Sequence, residues 1–269
     1  MKTIQSKILL SLIIIFFIIG FSTSAKSLIE SPVSPIESEP AVLVTSEANP
    51  LAVVYPESLQ AYRIETKDYV KSFSKKKRDY IIYIFQKGKK FFPKAIDILD
   101  KYNVPVELQM IPVLESQFNA NAVSPAGAVG YWQFMSELAG EYGLQTRGKN
   151  DERKNFAKST VAAAKFFSDQ LEYFNEDLLL SVAAYNCGPG RVQLSLRKSG
   201  KTNANYWDVK KYLPAETRKF VMDFIAFNVV AANYEKFLNR KMDFAEPVLV
   251  QIADADSKVS NDSLTVKAL

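Results

Sequence analysis

Apolar side chains recur at helical spacing along most of this 269-residue chain, and this periodicity constrains the fold more than any other feature of the sequence. The pattern becomes regular near Glu65, and lysines separate its first apolar positions, which are Tyr69, Val70, Phe73, Tyr80, Ile81 and Ile84. No sustained alternation of apolar and polar residues, as a half-buried strand would need, occurs before about residue 246. The sequence therefore predicts an all-α fold.

The breaks in this periodicity predict where the other helices lie. Pro105 opens the segment VPVELQMIPVLES, and Pro112 must kink that segment or restart a turn, because proline lacks a backbone N–H. The small and polar residues 119–130 predict a loop, and Asp151 is a candidate helix cap. The remaining predicted helices span residues 94–102, 132–142, 159–174, 177–185, 191–198 and 214–238.

The first 25 residues have the composition of a secretory signal peptide. Lys2 and Lys7 come before an apolar run over residues 8–21, and small residues lead up to Ala25. A membrane span needs about 20 apolar residues, so we expect cleavage after Ala25 and export to the periplasm or the cell envelope. In the alternative case, an uncleaved N-terminal segment would associate the protein with the membrane.

Composition divides the rest of the chain into three parts. Residues 26–60 are rich in Ser, Pro and Glu and show no sustained period, so they predict a disordered spacer. The periodic residues 61–245 are the predicted helical domain, which we expect to be monomeric. Residues 246–269, which include VLVQIA, predict a short C-terminal tail with a small strand.

The residue types that are missing limit the chemistry. The chain has no histidine and a single cysteine, Cys187, which we interpret as a small buried thiol. Ser-His-Asp and Cys-His systems and an internal disulfide are therefore excluded, and we predict neither a metal nor another cofactor. Cleavage after Ala25 removes two lysines and lowers the net charge from +5 to +3. Because the chain has no histidine, carboxylates must carry any proton transfer. No basic motif indicates a nucleic-acid partner.

Glu115 is the first residue that fits poorly with a plain helical core. It closes an otherwise apolar segment and is followed by Ser116. A carboxyl group at the edge of an apolar surface is desolvated, which raises its pKa and keeps it protonated, as a general acid requires. The alternative is an exposed glutamate at the end of a helix.

A second unusual stretch is GAVGYWQFM, residues 127–135. Its glycines let the backbone approach a ligand closely, and Tyr131 and Trp132 offer flat faces that suit sugar rings. Gln133 offers both a donor and an acceptor. In the alternative interpretation, Trp132 and Phe134 belong to the core.

A third stretch, AAYNCGPGRV, covers residues 183–192. Tyr185 and Asn186 lie where glycine and proline end a helix, so their polar groups can face a cleft. The alternative is that both residues only cap the helix.

Together these stretches resemble a known family. The ordered motifs PVELQMIPVLESQFNANAVSPAGAVGYWQFM, DERKNFAKSTVAAAKFF, SVAAYNCGPGRV and YLPAETRKFV resemble the soluble lytic transglycosylase (SLT) domain, and most of all its membrane-bound D-type members. The resemblance covers roughly residues 62–240. It implies a lysozyme-like helical domain with a glycan-binding cleft.

The resemblance also implies roles for individual residues. Glu115 matches the catalytic glutamate of the family. The residues that match substrate-binding positions are Ser116, Ser124, Gln133, Tyr185 and Asn186, and the tyrosine is expected close to the catalytic glutamate. The stretch from Asp151 to Arg153 is expected to be structural, as an ion pair and cap.

The implied activity is that of a peptidoglycan lytic transglycosylase, with glycan strands as the partner. Such an enzyme cleaves the β-1,4 bond between N-acetylmuramic acid and N-acetylglucosamine and leaves 1,6-anhydromuramic ends. Most glycosidases use two carboxylates, but the motifs supply only Glu115. Glu137, Glu141 and Asp151 are the nearest further candidates, and none lies in such a motif. One residue would therefore act first as acid and then as base.

Two other functions are compatible with the same sequence. A lysozyme-type hydrolase would use the same fold with water as the nucleophile. A non-catalytic peptidoglycan-binding envelope protein would keep the fold without the chemistry, since fold alone does not establish activity. A desolvated acid at Glu115 argues against the non-catalytic protein.

Overall fold

The computed structural model describes residues 49–148 and 150–245, so the predicted signal peptide, most of the predicted spacer and the predicted tail lie outside the described residues. Within these ranges the α-helices are α1 (Arg63–Lys76), α2 (Arg78–Gly88), α3 (Phe92–Lys101), α4 (Ile111–Ser116), α5 (Ser136–Glu141), α6 (Phe156–Tyr173), α7 (Leu178–Cys187), α8 (Pro189–Ser199), α9 (Tyr206–Val209), α10 (Ala215–Ala232) and α11 (Tyr234–Leu238). Short 3-10 helices span Glu57–Tyr62, Val106–Met110, Glu152–Lys154 and Lys210–Tyr212. For the described residues the all-α prediction is confirmed.

Polar caps and glycines set the ends of the two helices that frame the site. Asn155 accepts a hydrogen bond from the Lys158 backbone N–H at 3.0 Å and so starts α6. Asp177 accepts one from the Leu180 backbone N–H at 2.9 Å and starts α7. Gly188, with a φ of 85°, ends α7 in a conformation that favours glycine.

Helix α10 is the centre of the hydrophobic core. Every residue from 221 to 230 is buried, and the helix packs against α1 and α7. On the α1–α2 side, the Phe227 ring contacts the rings of Phe73, Tyr80 and Phe85. Because α10 is buried on all sides, its side chains pack against the surrounding helices and fix the positions of α1 and α7.

The end of the predicted spacer belongs to the fold. Val53, Tyr55 and Leu59 are buried, and the Val53 backbone N–H donates to the Asp243 carbonyl oxygen at 2.8 Å. The prediction of disorder is therefore wrong for residues 49–60. These residues show no helical period because they form irregular chain and the start of a short 3-10 helix, which bury side chains without regular spacing.

Two predicted helices differ from the observed ones by more than a few residues at an end. The helix predicted over residues 132–142 is confined to α5, because residues 132–135 form a turn in which Gln133 has a φ of 52°. The single helix predicted over residues 214–238 is two helices, α10 and α11, which are separated at Asn233.

No helix among the described residues is both long and apolar enough to cross a membrane.

Asn233 holds the N-terminal segment against this break. Its side chain accepts from the Val54 backbone N–H at 2.9 Å and donates to the Val54 carbonyl at 2.6 Å. It also donates to the Val229 carbonyl at 2.7 Å. The side chain is 2% exposed, so its loss would leave backbone groups without partners.

We expect Asn233→Ala to lower the free energy of unfolding by about 1–3 kcal/mol, because the Val54 N–H and carbonyl lose their partners. Denaturant unfolding of both proteins measures this difference. Asn239→Ala is the control, since the exposed Asn239 amide makes one local bond to Glu235. Equal effects of the two substitutions would contradict this account.

Candidate active site

Glu115 lies in the last turn of the short helix α4. The preceding 3-10 helix becomes α-helical at Ile111, and Pro112 falls in the first turn, where a missing N–H breaks no helical hydrogen bond. The helix stops because Gln117 and Phe118 adopt left-handed conformations, with φ values of 53° and 56°. The prediction that Pro112 kinks the segment or restarts a turn is thus resolved as a restart.

An aromatic cluster holds the end of α4. Phe118 is buried, and its ring stacks on Phe91 at 4.8 Å between ring centroids and contacts Phe92 edge-on. Phe156 of α6 and Tyr131 of the following loop complete the cluster. The two strained residues after Glu115 are therefore fixed by packing, which makes the position of the carboxyl group reproducible.

Burial dominates the electrostatics of Glu115. Desolvation, followed by the nearby negative charge of Glu216, raises the pKa of Glu115 from 4.5 to about 8. Burial and the charge of Glu115 in turn raise the pKa of the Tyr185 phenol. The Glu115 carboxyl group is consequently protonated at neutral pH, and Tyr185 lies near enough to feel its charge.

Three predicted site residues hold the loop that follows α4. The Ser116 hydroxyl donates to the Tyr131 carbonyl at 2.7 Å. The Gln133 side-chain amide donates to the Ala122 and Gly130 carbonyls at 3.1 and 2.8 Å. The Ser124 hydroxyl accepts from the Ala128 backbone N–H at 3.0 Å. These bonds shape the loop beside Glu115, and direct substrate contact by Ser116, Ser124 and Gln133 stays a prediction.

The end of α7 is tied to this loop and to α10. The Tyr185 hydroxyl donates to the Trp132 carbonyl at 2.6 Å, and the Thr217 hydroxyl donates to the Asn186 side-chain oxygen at 2.7 Å. Tyr185 is thus anchored to the loop after α4, and Asn186 is anchored to α10. Cys187, the next residue, is half-buried.

Trp132 does not present its face to a ligand. The side chain is fully buried, and its indole N–H donates to the Thr160 hydroxyl at 3.0 Å. The interpretation of Trp132 as a sugar platform is therefore wrong, and its alternative as a core residue is confirmed, as it is for the buried Phe134. Tyr131 is half-buried between the Phe91 and Phe156 rings.

Arg153 fixes the far side of the loop. Its guanidinium is paired with Asp151 at 2.7 Å and donates to the Phe134 carbonyl at 3.1 Å. Asp151 also accepts from the Arg153 backbone N–H at 3.1 Å, so the predicted ion pair and cap are both present. Hydrogen bonding from the Arg153 side chain lowers the pKa of Asp151, which makes Asp151 a structural anion rather than a second acid.

The electrostatic neighbour of Glu115 was not among the expected carboxylates. Glu137 and Glu141 are exposed on α5, whereas Glu216, in the first turn of α10, raises the pKa of Glu115. The signal for Glu216 was its place in the motif YLPAETRKFV. Nothing in its local spacing indicated that α10 begins beside α4.

Comparisons with known proteins agree with the resemblance in the sequence. Residues 95–207 match the family model described as the Transglycosylase SLT domain. The chain is 34% identical over 139 residues to Membrane-bound lytic murein transglycosylase D of Escherichia coli (strain K12), with 51% of this chain and 30% of that protein covered. The chain spans about a third of the length of that relative.

Two solved structures are similar over part of the chain. The 70 kDa soluble lytic transglycosylase of Escherichia coli has a TM-score of 0.43 and 23% identity, covering 52% of this chain and 24% of that one. An inactive mutant of the lytic transglycosylase Slt of Pseudomonas aeruginosa has a TM-score of 0.46 and 22% identity, covering 68% and 32%.

Gly130 is required by the contact between the loop and Arg153. A Cβ at this position would lie 2.1 Å from the Arg153 carbonyl oxygen, and the φ of 86° is unfavourable for other residues. We expect Gly130→Ala to lower the free energy of unfolding by more than about 3 kcal/mol. Gly127→Ala is the matched control, since Gly127 has a φ of 91° and open space around it, and should lose about 1–2 kcal/mol. Similar losses in the two variants would contradict the role given to the contact.

The raised pKa of Glu115 also predicts how stability depends on pH. Because the folded protein binds this proton more tightly than the unfolded chain, the stabilisation is complete below pH 4.5 and is lost as the pH rises through about 8. Relative to the wild type, Glu115→Gln should therefore become more stable between these limits, by on the order of 5 kcal/mol in total. Denaturant midpoints across this pH range measure the difference.

Glu137→Gln, which replaces an exposed carboxylate of α5, is the control for this series. A stability difference between Glu115→Gln and the wild type that does not change with pH would show that Glu115 is not desolvated.

Proposed function

We propose that this protein is a peptidoglycan lytic transglycosylase. It would cleave the β-1,4 bond between N-acetylmuramic acid and N-acetylglucosamine and form 1,6-anhydromuramic ends. The observation that carries the proposal is the desolvated Glu115, protonated at neutral pH and lying beside Tyr185. The match of residues 95–207 to the Transglycosylase SLT domain supports it.

The first step needs an acid, and Glu115 has the proton. Its carboxyl group protonates the oxygen of the leaving N-acetylglucosamine while the glycosidic bond breaks. The N-acetyl carbonyl of the muramic residue stabilises the positive charge that develops at the anomeric carbon, in a substrate-assisted route that needs no second carboxylate.

The second step needs a base at the same place. The Glu115 carboxylate left by the first step is poorly solvated, so it is a stronger base than an exposed carboxylate. It takes the proton of the muramic 6-hydroxyl, whose oxygen attacks the anomeric carbon and closes the 1,6-anhydro ring. One group with a pKa near the working pH can serve both steps.

A lysozyme-type hydrolase is the second candidate. The observation that favours it is the charge of Glu216, because a second carboxylate near an acid is the arrangement that most glycosidases use. Glu216 is exposed and lies at the start of α10. In the hydrolase, water would replace the 6-hydroxyl as the nucleophile.

The wider organisation is part of the same proposal. Residues 1–25 would act as a signal peptide and direct the protein to the periplasm or cell envelope, and an uncleaved form would be held at the membrane. A spacer would then lead to the catalytic domain, which reaches residue 245 and acts as a monomer. Residues 246–269 would be a tail.

Digestion of purified peptidoglycan in heavy-oxygen water tests the proposal. We expect muropeptides with anhydromuramic ends, each one water lighter than a reducing end and free of the heavy isotope. Glu115→Gln should reduce turnover at least about 100-fold, since proton transfer by a positioned group is lost, while Glu137→Gln should stay active. Mass spectrometry of the products and their rate of release give both answers.

Each other outcome identifies a different function. Reducing ends that carry the heavy oxygen would show a hydrolase. Retained binding of glycan strands without products would show a non-catalytic envelope protein. Normal turnover by Glu115→Gln would overturn the assignment of the acid.

A further inference from the structure

Thr217 makes a side-chain contact between α10 and α7 for which the sequence motifs give no role. It lies in the first turn of α10 and is 1% exposed. Its hydroxyl donates to the side-chain oxygen of Asn186, in the last turn of α7, at 2.7 Å. Because this bond joins the side chains of two different helices, it completes the backbone hydrogen bonding of neither.

Other buried hydroxyl groups of the helices use their proton differently. Hydroxyls donate to the carbonyl oxygen four residues earlier in the chain at Thr66, Thr160, Ser181 and Ser195. Thr217 makes no such bond, because Leu213 comes before the start of α10 and has an extended backbone, with a ψ of 154°. The Thr217 proton is therefore free to bond a side chain.

The direction of this bond fixes the orientation of the Asn186 amide. An amide has an acceptor oxygen at one end and two N–H donors at the other, so a hydroxyl that donates selects the oxygen. Burial raises the pKa of the Cys187 thiol and the Thr217 hydroxyl opposes that shift, so the thiol lies near as well. A thiol sulfur is a weaker acceptor than an amide oxygen, and the proton therefore stays on Asn186.

The N–H end of the Asn186 amide is left without a partner. Among the residues that the structure describes, no group accepts a hydrogen bond from this nitrogen. The Asn186 side chain is half-buried and its nitrogen is not enclosed, so a ligand can reach the two donors. Donors that are already held in one orientation bind an acceptor with less loss of side-chain freedom.

The bond between Thr217 and Asn186 lies among groups that interact with Glu115. Tyr185, the residue before Asn186, has its pKa raised by burial and by the charge of Glu115. Glu216, the residue before Thr217, adds to the effect of burial on the pKa of Glu115. Helix α10 also packs against both α4 and α7. The bond therefore joins the two helices that carry the electrostatic neighbours of Glu115.

We propose that Thr217 is a positioning residue, which holds Asn186 with its amide N–H groups turned toward the bound glycan as hydrogen-bond donors. The inference rests on the proposed function, because that function places a glycan strand beside Glu115. Thr217 itself is buried and its one hydroxyl proton is used, so it acts through Asn186. Without this hydroxyl the amide can turn its oxygen outward, and an oxygen of the glycan would then meet a second acceptor.

Cleavage of glycan strands by two variants tests this role. Thr217→Val removes the hydroxyl at nearly constant volume and should lower kcat/KM about three- to tenfold, since a hydrogen bond to the glycan is weakened. Thr217→Ser keeps the donor and should stay within about twofold of the wild type. The loss in Thr217→Val should appear mainly in KM, because Glu115 is unchanged. Equal activities of the two variants would overturn the proposal.

A double-mutant cycle separates positioning of Asn186 from a general effect on the fold. If Thr217 acts through Asn186, Thr217→Val should change kcat/KM less than about twofold once Asn186→Ala is present. Effects that multiply would show that Thr217 acts independently of Asn186, and would overturn its role.

A buried threonine in another part of the fold supplies the matched control. The Thr66 hydroxyl, on α1, donates to the Tyr62 carbonyl at 2.7 Å. Thr66→Val should lower the Tm while kcat/KM stays within about twofold of the wild type. A loss of activity equal to that of Thr217→Val would show that stability alone explains the effect.

Binding without turnover decides the matter even if Thr217→Val does not fold. The probe is a peptide-free tetrasaccharide of alternating N-acetylglucosamine and N-acetylmuramic acid, titrated into the full chain with Glu115→Gln. Adding Asn186→Asp keeps an acceptor for Thr217 but removes the N–H donors, so the affinity should fall about tenfold. High salt in the titration screens the added charge. Unchanged affinity would overturn the proposal.

The two readouts distinguish failure of this inference from failure of the proposed function. If the wild type releases no products from peptidoglycan while Asn186→Asp weakens tetrasaccharide binding, the proposed function fails and the donor role of Asn186 stands. If anhydromuramic products form and the cycle is additive, the proposed function stands and the positioning role fails. A tetrasaccharide that binds no variant would overturn the inference.

Discussion

The burial of one carboxyl group is the constraint on which the rest of the site depends. The position of the Glu115 carboxyl group is fixed by the end of α4. The helix ends one residue later, at Ser116, and is followed by two left-handed residues that an aromatic cluster holds in place. That placement raises its pKa to about 8 and turns an ordinary glutamate into an acid at neutral pH. The proposed chemistry follows from this single shift, since the same group must give up a proton and take one back.

The surrounding polar side chains mainly stabilise the loop that lies beside this carboxyl group. Ser116, Gln133 and Tyr185 all donate to backbone carbonyls of the loop after α4, and Arg153 closes the loop from its other side. Such bonds satisfy an irregular backbone that would otherwise need water. Ser116, Gln133 and Tyr185, which the motifs assign to substrate binding, can therefore affect the site by fixing the conformation of the loop.

Much of the fold and part of the site could be predicted from sequence, for local reasons. Helical periodicity gave the fold class, and Gly188 marked the end of α7. Residues 49–60 were missed because irregular chain buries side chains without a helical period. The turn at Gln133 was read as helix because contacts with Arg153 and Ala122 override local preference. Glu216 was missed because only the tertiary packing of α10 near α4 brings it close to Glu115.

The pKa of the Glu115 carboxyl group is the central quantity, and it can be measured directly. The side-chain carbon of glutamate labelled with carbon-13 changes its NMR shift on ionisation, and Glu115→Gln assigns the resonance by its disappearance. The account predicts a titration midpoint of about 8 for Glu115 in the free enzyme. A midpoint near 4.5 would show that the carboxyl group is ionised at neutral pH, and would contradict its role as the acid.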